Sequence, residues 1–140
     1  MKRTLWMGCL GLLLSWPVRA DLVLVASADS GIPLLSHDQV VNIFLGRYRK
    51  LPDGATAEPL DIDGDSPERR EFYERLLGKP LAEINAYWAR LVFSGRTLPP
   101  EELPTQRAVL ARVIHDPVAI GYVERANLNA QVKVVYEFDR

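Results

Sequence analysis

Apolar and polar positions along this chain change period several times, and each change marks an element. Leu22 to Ala26 is an unbroken Val-rich run, the pattern of a strand covered on both faces, as in a parallel sheet flanked by helices. Ser27 to Gly31 then reads as a loop. Val40, Ile43 and Phe44 share one helical face behind a Ser36/Gln39 capping box, and Gly46 stands where that short helix should stop. Glu58 to Ile62 returns as a second strand after the turn signal Pro52-Asp53-Gly54. Ser66-Pro67 opens the next helix, with Ser66 as N-cap and Pro67 at the first helical position. Phe72, Tyr73, Leu76 and Leu77 form its apolar side, and Gly78 is placed to end it.

A longer helix follows Lys79-Pro80, with Leu81, Ile84, Trp88, Leu91 and Val92 as its inward stripe and Ser94-Gly95-Arg96 as its break. Tyr87, Trp88 and Phe93 are assigned to the core on this pattern. Thr97 to Pro104 holds three prolines and reads as an irregular surface loop, and Val109, Leu110, Val113 and Ile114 mark a fourth helix stopped by Asp116-Pro117. Val118 to Val123 and Val132 to Phe138 read as strands joined through Asn127-Leu128-Asn129. The expected order is β α β α α α β β, an α/β sandwich with no internal repeat.

Met1 to Ala20 has the features of a cleaved signal peptide: basic Lys2 and Arg3, an apolar Leu5 to Leu14, and a small-residue site at Val18-Arg19-Ala20. The apolar part is too short to span a bilayer. Cys9, with only eight residues before it, is poorly placed for lipid attachment. The expectation is an exported, periplasmic chain with residues 1–20 as leader and residues 21–140 as one domain. Losing Lys2, Arg3 and Arg19 takes the 17 basic residues to 14 against 18 acidic ones, a net charge of −4. That balance gives no electrostatic footprint for nucleic acid, and without Cys9 no disulfide or thiol chemistry is available.

The candidate chemistry gathers at Asp61-Ile62-Asp63-Gly64-Asp65-Ser66-Pro67-Glu68-Arg69-Arg70, where a strand hands over to a helix. An open helix N-terminus favours an anion, whereas three carboxylates in the same turn oppose one. Arg69 and Arg70 could swing back as bidentate anion ligands, or remain solvated and paired along the helix. Asp61, Asp63 and Asp65 alternate as at the start of a calcium loop, but Ser66 and Phe72 occupy the sixth and twelfth positions, where glycine and glutamate are needed. His37 and His115 are isolated. No metal site, cofactor motif, nucleophile elbow or catalytic triad is visible, so no enzymatic activity is expected. Arg47, Tyr48, Arg49 and Lys50 form a small basic loop that could dock an acidic partner. Gly121 within its strand marks a close approach to a ligand or neighbour, or a bulge.

Taken together, Phe44-Leu45-Gly46-Arg47, Pro52-Asp53-Gly54, Ser66-Pro67 with Phe72, Tyr87-Trp88, Phe93-Ser94-Gly95 and Ala119-Ile120-Gly121-Tyr122-Val123 give the chain a family likeness. In order and spacing they resemble the phosphate-type periplasmic substrate-binding proteins of ABC transporters, in the form of a single lobe. The resemblance implies a three-layer periplasmic binding protein type II-like fold, a mixed sheet flanked by helices. It also implies a non-enzymatic solute-binding role, with phosphate or another small oxyanion held at the strand-to-helix turn for uptake or sensing. Ala28, Asp29, Ser30, Ser66, Arg69, Arg70, Gly121 and Tyr122 would form one wall of that site. The family's arginine, glycine and threonine at this turn are replaced here by Ile62, Pro67 and Glu68, leaving Ser66 alone. A lone lobe encloses only part of a ligand, so a second copy in a homodimer, or a periplasmic or membrane protein, would supply the other wall. The alternative is a protein-interaction or sensory module with no small-molecule ligand.

Overall fold

A computed structural model describes residues 21–139. The leader assignment and Cys9 lie outside the described residues. Five strands form one sheet: β1 (Leu22–Ser27), β2 (Glu58–Ile62), β3 (Glu101–Leu103), β4 (Ala119–Glu124) and β5 (Val132–Glu137), in the spatial order β3-β2-β4-β1-β5. The helices are α1 (His37–Phe44), α2 (Pro67–Leu77), α3 (Leu81–Ser94) and α4 (Gln106–His115). This is the mixed α/β architecture expected from the sequence. Among the described residues no helix is long and apolar enough to cross a membrane.

Two neighbours in β4 define the layers, because successive residues of a strand point to opposite faces. Gly121 faces α4, where an added Cβ would lie 2.4 Å from a methyl of Val109. The glycine thus marks the close approach of a neighbouring helix. Tyr122 faces the other way, stacked on Phe72 of α2 at 4.1 Å and 11° and near Phe44 of α1 at 6.5 Å. Helix α4 therefore covers one face, and α1 and α2 cover the other.

Four local expectations are corrected. Strand β1 is buried at all six positions, yet it runs antiparallel to both neighbours, β4 and β5. Cover on both faces makes the apolar run continuous; the direction of the neighbours leaves no such mark. The stretch 97–104 is not wholly irregular, since Glu101–Leu103 adds to the edge of the sheet parallel to β2, between Pro100 and Pro104. Phe93 is 97% exposed and outside the core. It follows buried Ile84 by about two and a half helical turns, which turns it to the opposite side of α3. Val92, assigned to the inward stripe, is also half out in solvent.

The local stop and start signals act as their chemistry dictates. Ser36 and Gln39 complete a reciprocal capping box, and Gly46 and Gly78 take positive φ just past α1 and at the end of α2.

Candidate functional site

The strand-to-helix turn is built around Asp61, which is 1% exposed. Strand β2 places Leu60 and Ile62 on the face toward α4 and Asp61 on the face toward α2, beside Tyr122 of the adjacent strand. Four donors converge on its carboxylate. Tyr73 OH donates to Oδ2 at 2.7 Å and Arg69 Nε to Oδ2 at 3.2 Å, while Tyr122 OH and the Ile62 amide donate to Oδ1, the amide at 2.9 Å. All but the Ile62 amide come from side chains that α2 and β4 carry into the interior.

Arg69 is committed as completely as Asp61. Besides the carboxylate, its Nη1 donates to the Gly64 carbonyl at 3.1 Å and to Asn85 Oδ1 of α3 at 3.2 Å, and Nη2 lies 3.8 Å from Glu102 of β3. Burial alone would pull the guanidinium pKa down; Asp61, supported by Tyr73 and Glu102, more than offsets this and raises it. Burial pushes both the Tyr73 and Tyr122 hydroxyls well above the usual phenol range, and the adjacent Asp61 charge adds to the shift. Both tyrosines stay protonated as donors. The Asp61 carboxylate ties β2, β4 and α2 together, and Arg69 extends the cluster to α3 and β3.

The turn offers little else to an incoming anion. Ser66, half-buried, caps α2 by accepting the Arg69 amide at 3.2 Å, and its carbonyl accepts the Arg70 amide at 3.1 Å. Pro67 has no amide proton. Arg70 is exposed and turns back to donate to the Asp65 carbonyl at 2.8 Å. An open groove of about 410 Å³ beside it is lined by Asp65, Arg70, Leu81, Ala82 and Asn85. Asp63 and Asp65 are exposed, apart from buried Asp61, and among the described residues no cluster of acidic or histidine side chains has the arrangement of a metal site.

The candidate residues divide into two groups: Ser66, Arg69, Arg70 and Tyr122 gather at the α2 turn, and Ala28, Asp29 and Ser30 lie apart from them. Leu22 pairs with Glu124 and Val25 with Gly121, while Leu60 also pairs with Gly121. Because β1 runs opposite to β2, the loop Ala28-Asp29-Ser30 leaves one end of the sheet and the Ser66 turn leaves the other. Ser30 is buried, with its carbonyl accepting Lys133 Nζ at 2.7 Å. Tyr122 does reach the turn, but from inside, on Asp61. Asp61 as the centre, Tyr73 and Asn85 were not singled out in the sequence. The available signal was a carboxylate in mid-strand between two apolar residues, where an ionised group needs partners. In the basic loop, Arg49 is anchored to the Ile43 and Leu98 carbonyls, whereas Arg47, Tyr48 and Lys50 are exposed.

No family model and no curated relative matches the sequence. Solved structures do match the fold. An ABC-type phosphate transport receptor from Vibrio cholerae superposes with a TM-score of 0.64 at 14% identity, covering 83% of this chain and 45% of the receptor. PstS from Borrelia burgdorferi superposes with a TM-score of 0.57 at 15% identity, covering 76% of this chain and 41% of that one. The chain thus spans less than half the length of these receptors, and its fold is that of one lobe of phosphate ABC transporter substrate-binding proteins.

Proposed function

We propose that this chain is an exported, non-enzymatic recognition lobe of the solute-binding type, and that it does not capture bare phosphate at the α2 turn. The observation that carries this reading is the Asp61 carboxylate. It stands in the protein's own interior at the opening of α2 and takes the donors of Arg69, Tyr73, Tyr122 and Ile62. A second anion brought there would meet a site already neutralised. Like charges at such range oppose each other by on the order of a few kcal/mol, comparable to what a charge-assisted hydrogen bond returns.

The fold supports the solute-binding part, and the single wall that residues 21–139 offer supports a site completed by another surface, whether a further lobe, a second copy or a periplasmic or membrane protein. Phosphate capture for ABC-type uptake or sensing is the rival. Calorimetric titration of residues 21–140 with phosphate and sulfate separates them. The expected result is no saturable heat in the micromolar range; a micromolar dissociation constant for either anion would establish the rival and overturn this reading.

A further inference from the structure

Uncommitted positive charge stands elsewhere among the described residues, at a cavity of about 400 Å³ between the C-terminal ends of α1 and α2 and the middle of α3. Its inner surface is apolar: Val41, Leu45, Leu77 and Ile84, with one edge of Tyr87. Leu45 and Ile84 are buried, and Tyr87 is held in place by donating to the Leu45 carbonyl at 2.7 Å. This wall is preformed. The volume falls within the range of small-molecule sites, roughly 300 to 1,000 Å³.

The rim has the opposite character. Arg47, Lys79 and Arg90 stand around the mouth with a single carboxylate, Glu83, which Lys79 engages at 3.1 Å. Arg47 and Arg90 are exposed, and neither guanidinium has a hydrogen bond or ion pair among the described residues. A chain that is net acidic therefore leaves two guanidinium groups uncommitted at the entrance to an apolar pocket. Guanidinium forks match a carboxylate bidentately. The apolar wall has no polar group to offer beyond the Tyr87 hydroxyl, which is already used.

We infer that this cavity binds an apolar-tailed carboxylate, the tail lying on Leu45, Leu77 and Ile84 and the head reaching Arg47 and Arg90. The inference extends the solute-recognition reading by naming a site and a ligand class. Its failure would leave the internal ligation of the α2 turn untouched, because the two sites share no residue. The geometry also provides a reporter. Trp88 packs edge-on against Tyr87 at 5.3 Å and 77°, and it is the sole tryptophan of residues 21–140.

Decanoate is titrated into residues 21–140, which contain every element of the described fold, with Trp88 fluorescence and calorimetry as readouts. Saturable one-to-one binding is expected, weakened about tenfold or more by combined Arg47→Glu and Arg90→Glu. Ala86→Phe, placed from an exposed position on the cavity lining, should abolish it without adding a second tryptophan, and decanol should bind more weakly than decanoate. Circular dichroism confirms that both variants remain folded. The proposal is overturned if decanoate gives no saturable change, if the charge-reversed variant binds it equally well, or if decanol matches it. Binding of an acidic amphipathic peptide where decanoate fails would overturn it too.

Discussion

Arg69 and Arg90 lie on adjacent helices and have opposite fates. Arg69 is 6% exposed and divides its donors among Asp61, Gly64, Asn85 and Glu102; Arg90 is exposed on a cavity rim and its guanidinium, like that of Arg47, has no partner among the described residues. The difference follows from desolvation. A guanidinium drawn inside must be matched atom by atom, which turns it into a structural clamp, whereas one left in water keeps its donors for something else. The arginine nearest the family-like motif is thus the least available to a ligand.

The comparison breaks most sharply at its buried half. Asp61→Ala leaves a buried guanidinium and two tyrosine hydroxyls without their acceptor, and should lower the unfolding free energy by about 3 to 5 kcal/mol in urea denaturation. Arg69→Met strips one donor while Tyr73, Tyr122 and Ile62 still hold the carboxylate, so a smaller loss of about 2 to 4 kcal/mol is expected. The double variant should fall well short of the sum of the two, by about 1 to 3 kcal/mol, the signature of direct coupling. Full additivity would mean that the two groups act separately.

On the opposite face of β4, Gly121→Ala forces a methyl into Val109 and should cost about 1 to 3 kcal/mol without touching the charge network. Arg47→Ala and Arg90→Ala should each stay within about 0.5 kcal/mol of the parent in the same assay, since neither is committed to the fold. The smallest effect is expected at Glu102. Burial, opposed by Arg69 and reinforced by nearby Asp61 and Asp63, raises its pKa. The fold therefore favours its protonated form, and Glu102 costs stability as pH climbs from about 4 through the raised value, with no cost below that range. Its side chain is 46% exposed, so Glu102→Gln should remove a slope worth less than about 0.5 kcal/mol between acidic and neutral pH.

What the sequence revealed was local. Ser36 with Gln39, Ser66 with Pro67, and Gly78 act within one helical turn of their own positions, so their effect can be read where they stand. Strand direction is a different matter. The continuous apolar run of β1 records burial from above and below and is silent on whether Val25 pairs with a parallel or an antiparallel neighbour. That silence let the loop Ala28-Asp29-Ser30 be grouped with the Ser66 turn, from which the antiparallel run of β1 separates it. The Asp61 cluster was hidden for a related reason: its partners lie 8, 12 and 61 residues away, and only the packing of α2 and β4 brings them together. Read alone, Asp61 was one of three acidic residues in a polar turn.

The central claim is that the opening of α2 is ligated from within. Chemical shifts of the Arg69 and Arg70 amides and of Arg69 Nε, followed during titration with phosphate at constant ionic strength, test it at the atoms concerned. The account predicts that these resonances stay in place as phosphate rises into the millimolar range. A saturable movement of all three with a micromolar midpoint would contradict it.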